Sequence, residues 1–151
     1  MISQTAEYAL RAVVAIADQG GLPLSTAKAA SITGVPRGYM SKVLQTLARR
    51  GLVTSSGGRS GGFLLSRSPE ALSILDVVDA VDPMRRIEHC PLNPRISHSQ
   101  LCPLHRQLDA AIAKVREAFA SCKVSDLLSS APHTCDALTA PPARGRRARK
   151  V

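Results

Sequence analysis

A mainly α-helical fold with one small β-hairpin, a winged helix-turn-helix domain followed by a long dimerisation helix, is what this 151-residue sequence predicts. Three observations predict it. Two helical segments flank a turn of about three residues near position 35, the spacing of a helix-turn-helix. A glycine-rich stretch at 57–62 separates two strand-like runs. Positive charge is concentrated in the half that holds both features.

Taken in order, Ala6, Leu10, Val13 and Ala17 recur at helical spacing over residues 3–17, and Gly20 with Gly21 supplies a stop. Ser25 caps a second helix over 26–33, Gly34 ends it, and Pro36 opens a third at its first position. In that third helix Met40, Val43, Leu44 and Leu47 make the buried stripe and Gly51 closes it. Its other face carries Arg37, Gly38, Tyr39, Ser41, Lys42, Gln45 and Arg49. Arginine and lysine reach guanine O6 and N7, glutamine reads adenine, and Ser41 or Tyr39 can take phosphate or base edges, so this face has major-groove chemistry. A solvated helix face is the ordinary alternative for any charged stripe.

Residues 52–56 and 63–67 read as strands joined by the 57–62 loop, whose glycines allow positive φ and close backbone approach. Arg59 at the tip can enter a narrow minor groove, or be an exposed loop charge. The same loop matches G-x-S-x-G through Gly58, Ser60 and Gly61's neighbour Gly62. A hydrolase elbow needs a strand-to-helix turn in a large parallel sheet, so a serine hydrolase is rejected. Ser73 caps a short helix with Asp76 three residues on, and Ile74, Val77, Val78 and Val81 form its core face. Leu104, Leu108, Ile112, Val115 and Phe119 then run along a long helix beginning near Pro103. Such a stripe needs cover, from the chain's own winged domain, from a second copy in an isologous dimer, or from both.

Charge divides along the chain. Residues 1–67 hold eight basic and two acidic side chains (+6), 68–139 seven and nine (−2), and 140–151 five and none (+5). A basic half suits a polyanion, because neutralised phosphates release counterions. Four aromatics, Tyr8, Tyr39, Phe63 and Phe119, are too few for the stacking platforms of single-strand or RNA binders. Double-stranded DNA is the expected partner. The apolar run near residues 8–17 is interrupted by Arg11 and shorter than a membrane span, so a cytoplasmic protein with no membrane partner is expected. No catalytic constellation can be identified, so the chain is read as no enzyme.

All four cysteines follow residue 89. In a reducing compartment they point to metal, redox chemistry or plain burial. Cys102 and His105, three apart at the start of the long helix, can present sulfur and nitrogen on one face, and Cys90 can close the site from the preceding loop. Cys122 reads as a buried small hydrophobe at the helix end. Cys135 and His133 lie in an Ala, Pro and Thr-rich stretch before the terminal ARGRRARKV, which is read as a flexible basic tail over 131–151.

The segments ISQTAEYALRAV, GVPRGYMSKVLQTLARRGLV, SSGGRSGGFLL and ILDVVDAVD, in that order, resemble the Rrf2 family of winged-helix bacterial transcription regulators over roughly residues 1–130. The resemblance implies a homodimer on a palindromic operator, acting as a repressor, with residues 1–67 binding DNA and 68–130 dimerising and sensing. By matching position it makes Arg37, Gly38, Tyr39, Ser41, Lys42 and Arg59 DNA contacts, beside Gln45 from the helix-face reading. It also implies an iron–sulfur cluster on three cysteines spaced C-x5-C-x5-C. Here Cys90 and Cys102 keep the outer positions and Ile96 takes the middle one. A [2Fe-2S] cluster needs four protein ligands. His105 then serves as one, and the resemblance suggests Glu7 of the first helix, given by the other subunit, as another, with His89, His98, Cys122 and Cys135 as further candidates. Glu7 has the simpler alternative of stabilising its helix terminus. Zinc, a thiol-redox pair and a vestigial loop stay open for Cys90, Cys102 and His105. Two other functions stay open as well: a regulator of the same fold without cofactor, controlled by a partner or metabolite, and a zinc-stabilised adaptor that binds protein.

Overall fold

A computed structural model describes residues 2–58, 60–90, 92–97 and 101–129. Arg59, His98, His133, Cys135 and the basic tail lie outside the described residues. Helix α1 (Gln4–Ala17) begins where the Ser3 hydroxyl accepts the Ala6 N–H at 3.2 Å. It buries Ala6, Ala9, Ala12, Val13, Ala15 and Ile16, while Leu10 and Ala17 of the expected stripe are half-buried. The wider buried face has a plain cause. Helix α1 packs against three other helices, a short C-terminal one and the hairpin, and alanines let several neighbours approach.

Helix α2 (Thr26–Thr33) is capped by Ser25, whose hydroxyl accepts the Lys28 N–H, and ends at Gly34 with φ 67°. Helix α3 (Arg37–Arg49) follows, with Pro36 as its N-cap rather than its first residue. Extended ψ at Pro36 (135°) keeps it outside the helix while its carbonyl accepts the Tyr39 and Met40 N–H groups. Met40, Val43, Leu44 and Leu47 are buried as the periodicity predicts.

Strands β1 (Val53–Ser56) and β2 (Gly62–Leu65) form the antiparallel wing, with Val53 opposite Leu65. The wing is fastened to the helix-turn-helix: Leu24 and Phe63 exchange backbone hydrogen bonds of 3.0 and 2.9 Å. A Cβ on Gly62 would lie 2.5 Å from both the carbonyl carbon and oxygen of Leu24, so this approach requires glycine.

Helix α4 (Ile74–Val81) opens with the expected capping box of Ser73 and Asp76. Ile74, Val77 and Val78 are buried with Ala80, and Val81 is half-buried. A second hairpin, β3 (His89–Cys90) and β4 (Asn93–Ser97), occupies what the sequence suggests is a loop. Helix α5 (Pro103–Ser121) has Cys102 as N-cap and Pro103 at its start. A short helix α6 (Val124–Ser129), not expected from the sequence, brings Val124 into the core, where its N–H donates to Leu72 and the Cys122 carbonyl accepts from Ile74. Cys122, at the C-cap of α5, is half-buried rather than buried. None of the described helices is long and apolar enough to cross a membrane.

Candidate functional site

The first candidate surface is the outer face of α3. With its four apolar residues turned into the core, Arg37, Gly38, Tyr39, Lys42, Gln45 and Arg49 are exposed and Ser41 is half-exposed. The Gln45 amide donates to the Ser41 hydroxyl at 3.4 Å, one turn apart. Tyr39 is 59% exposed, an unusual position for a large ring, and leans on Tyr8 of α1 with centroids 6.2 Å apart and planes tilted by 58°. The Lys42 ammonium stands 5.9 Å from the centre of the Tyr39 ring. Tyr8 is a contributor that periodicity does not reveal. The wing borders the same surface: Gln45, Ala48 and Arg49 of α3 and Ser55 and Phe63 of the hairpin line one shallow cleft. Arg11 has a structural task, donating to the Thr33 carbonyl at 3.3 Å and tying α1 to the end of α2.

The second surface is the cysteine and histidine group. Cys90 ends β3 and is 2% exposed, Cys102 caps α5, and His105 sits in the first turn of α5 at 8% exposure. Because the N-cap and the residue three on share a helix edge, Cys102 and His105 converge. The imidazole Nδ1 is 3.1 Å from the Cys102 sulfur and 3.4 Å from the Cys90 sulfur, and all three donor atoms lie within 4.8 Å of one another. Among the described residues no further His, Cys, Asp or Glu completes this group. Glu7 is exposed in the first turn of α1, apart from it, so a ligand role for Glu7 could only be played toward another copy. His89 is exposed on β3.

A polar strap holds the Cys90 segment to α5. Asp109, one turn beyond His105 and 4% exposed, takes both Nε and Nη2 of Arg86 and also the Ile87 N–H at 2.9 Å. The Asp109 hydrogen bond raises the Arg86 guanidinium pKa further. Farther along α5, Arg116 bonds Asp79 of α4 at 3.0 Å and the Met84 carbonyl at 2.6 Å, while Asp79 accepts the Met84 N–H. No local pattern announces these pairs, since Arg86 and Asp109 are 23 residues apart.

Two thiols and an imidazole are a soft donor set suited to zinc or iron. They number one fewer than a two-iron cluster requires.

The chain matches the model of the Rrf2 family, described as an iron-dependent transcriptional regulator, over residues 2–130. It is 33% identical over 125 residues to a Rhodobacter capsulatus protein named as an rrf2-like HTH-type transcriptional regulator, across 80% of this chain and 79% of that one. A similarly named regulator of Aquifex aeolicus is 26% identical over 132 residues, across 85% and 92%. Among solved structures, CymR, the global cysteine regulator of B. subtilis, superposes with a TM-score of 0.70 at 25% identity, covering 85% of this chain and 96% of that one. IscR of T. potens gives 0.71 at 20% identity, covering 94% and 93%, a likeness of fold.

Proposed function

From the premise that this chain belongs to the Rrf2 family of transcriptional regulators, we propose that it acts as a homodimeric repressor on a palindromic operator, its grip set by a metal-responsive site at Cys90, Cys102 and His105. Helix α3 enters the major groove. Arg37, Gly38, Tyr39, Ser41, Lys42 and Gln45 are the contacts, and Arg59 in the wing loop joins them in the adjacent minor groove. The observation that carries this reading is the shared cleft: the exposed polar side of α3 and the wing strands border one surface.

Dimerisation is supported by α5. Phe119 at the far end of the α5 stripe packs on the chain's own core, while Leu104 and Leu108 are 59% and 46% exposed, and an isologous contact covers this exposed part on both copies. A two-fold dimer presents two α3 helices to half-sites about one helical turn apart. Small rotations about the α5 seam then change how well both helices fit at once.

The sensing residues sit where they can act on that seam. Cys90 belongs to the second hairpin, while Cys102 and His105 belong to α5, so ligation of a common metal fastens the two segments together and its loss frees them. Bound metal supplies a bond between those segments; the chain's own residues do the rest. Asp109 keeps the hairpin approach against α5, and α5 carries the change to the dimer seam. A [2Fe-2S] occupant would need a fourth donor, for which Glu7 of another copy, suggested by the family resemblance, is one candidate beside His89, His98, Cys122 and Cys135.

Selection from a random duplex library tests the function. The expected product is a two-fold symmetric sequence bound by two chains. Enrichment of no sequence, or of a site bound by one chain, would overturn the dimeric operator reading.

A further inference from the structure

We infer that Cys90, Cys102 and His105 hold one divalent ion of the zinc class per chain, with an exchangeable fourth position, rather than a two-iron cluster. The inference rests on the metal-responsive reading and narrows it. Its first support is metric. Tetrahedral coordination with metal–sulfur bonds of about 2.3 Å and metal–nitrogen bonds of about 2.0–2.1 Å sets nitrogen and sulfur about 3.5 Å apart. The two Nδ1 to sulfur separations are 3.1 and 3.4 Å, and the sulfurs fall within the same 4.8 Å limit. The three donors therefore converge closely enough to share one ion.

Two irons make a different demand. Their protein donors divide into two pairs, one on each metal, and the pairs stand apart by the metal–metal distance and the outward splay of the bonds. Three donors converging on one point leave no second pair. Position 96, between the two cysteines, is an isoleucine, which has no donor atom.

Charge favours the same occupant. Cys90 and His105 are almost fully buried, and burying net charge is costly. Binding of a divalent cation by two thiols and a neutral imidazole releases two protons and leaves a neutral unit of two thiolates, one imidazole and one M²⁺. No electron is transferred and no oxidant is needed. Nδ1 is the ligating nitrogen, so the ring proton resides on Nε2. Three protein donors leave one of four positions open, and Cys102, the partly exposed donor, marks the side on which water or a small thiol reaches the ion.

An anaerobic titration of the full chain with Co²⁺ tests this. Expected are saturation at one ion per chain, two protons released per ion, the visible bands of tetrahedral thiolate-bound cobalt, and displacement by Zn²⁺. Cys90→Ser, Cys102→Ser and His105→Ala should each weaken binding by more than the 10–100-fold that loss of an outer-shell partner produces. Cys122→Ser should bind as the parent does, and unchanged far-ultraviolet circular dichroism in all four shows that folding is intact. Reconstitution with iron and sulfide that yields two irons and two sulfides per chain overturns the single-ion inference and leaves the metal-responsive reading standing. Absence of any saturable metal binding overturns both. Selection of an operator by the same preparations reports separately on the regulator reading.

Discussion

Helices α3 and α5 are both amphipathic, but they are held in opposite ways. Helix α3 buries four apolar side chains in its own domain and exposes a polar face. Helix α5 buries two polar residues, His105 and Asp109, and exposes Leu104 and Leu108. The hydrophobic effect fixes α3, so it moves only as part of its domain. Directional bonds to Arg86, Ile87, Asp79 and the Met84 carbonyl fix one side of α5 and Phe119 near its end packs on the core, while Leu104 and Leu108 near its start require another surface. A device that must shift in response to a ligand is better built from the second kind of attachment, because a few polar bonds rearrange without dismantling a core.

The sharpest way to break this comparison is to truncate one leucine on each helix. Leu44→Ala in α3 removes a fully buried side chain and should cost about 2–5 kcal/mol at every protein concentration. Leu108→Ala removes a half-exposed one and should cost little in dilute solution, where surface changes stay within roughly 0.5 kcal/mol. Its cost should rise with concentration as the second copy covers α5. Urea midpoints measured across a hundredfold dilution series check this, and equal, concentration-independent losses would refute the contrast.

Next in size is Gly62→Ala. The new methyl would meet backbone atoms of Leu24 at 2.5 Å, and backbone yields less readily than a side-chain tip. Displacing the wing should cost about 1–3 kcal/mol of stability. Operator affinity should fall as well, because the wing and α3 would no longer share one surface. Thermal melting and anisotropy titration with a library-selected duplex read the two effects. Gly57→Ala, which meets nothing within 4 Å, serves as control.

How much of this was legible beforehand varies by region for physical reasons. The Ser25 cap, the Gly34 stop and the core stripe of α3 are local signals, and each stands where the sequence suggests. Pro36 differs by one position because the N-cap and the first helical residue both tolerate proline's fixed φ. The second hairpin is hidden by Pro94, which argues against a strand in general but is tolerated in a two-stranded ribbon that is all edge. Helix α6 has six residues, too few for a periodic signature. Within the site, spacing alone brings Cys102 and His105 together, and Cys90 joins them as expected. Asp109 and Arg116 could not be foreseen, since a long-range ion pair leaves no periodicity in the chain.

A charge comparison between the two helices sharpens the functional contrast. Lys42 lies on the exposed face of α3 and Lys114 on the exposed side of α5. Lys42→Gln should weaken operator binding by about 1 kcal/mol. If the ammonium meets a phosphate, it should also reduce the slope of log affinity against log salt by about 0.9. Lys114→Gln should leave both quantities at parental values. A parental affinity and slope for Lys42→Gln would remove α3 from the interface.

The smallest expected effect lies in α4, which packs against both helices and so joins the two regimes. Desolvation pushes the Asp76 carboxyl pKa up, but the Ser73 N–H and hydroxyl bonds, with Arg67 and Lys123 nearby, outweigh it and hold the folded value below the ordinary one. A depressed folded pKa means that the unfolded chain takes up the proton first. The stabilisation is therefore complete at neutral pH, starts to fade as pH falls past the ordinary aspartate range, and is gone below the folded pKa. Asp76→Asn should cost about 0.5–1 kcal/mol at neutral pH, the usual scale of a cap. The gap between parent and variant in urea unfolding should narrow steadily on acidification. A gap that stays constant with pH would assign the cap's contribution to hydrogen-bond geometry alone. A gap that closes shows that α4 is held, like α5, partly by charge.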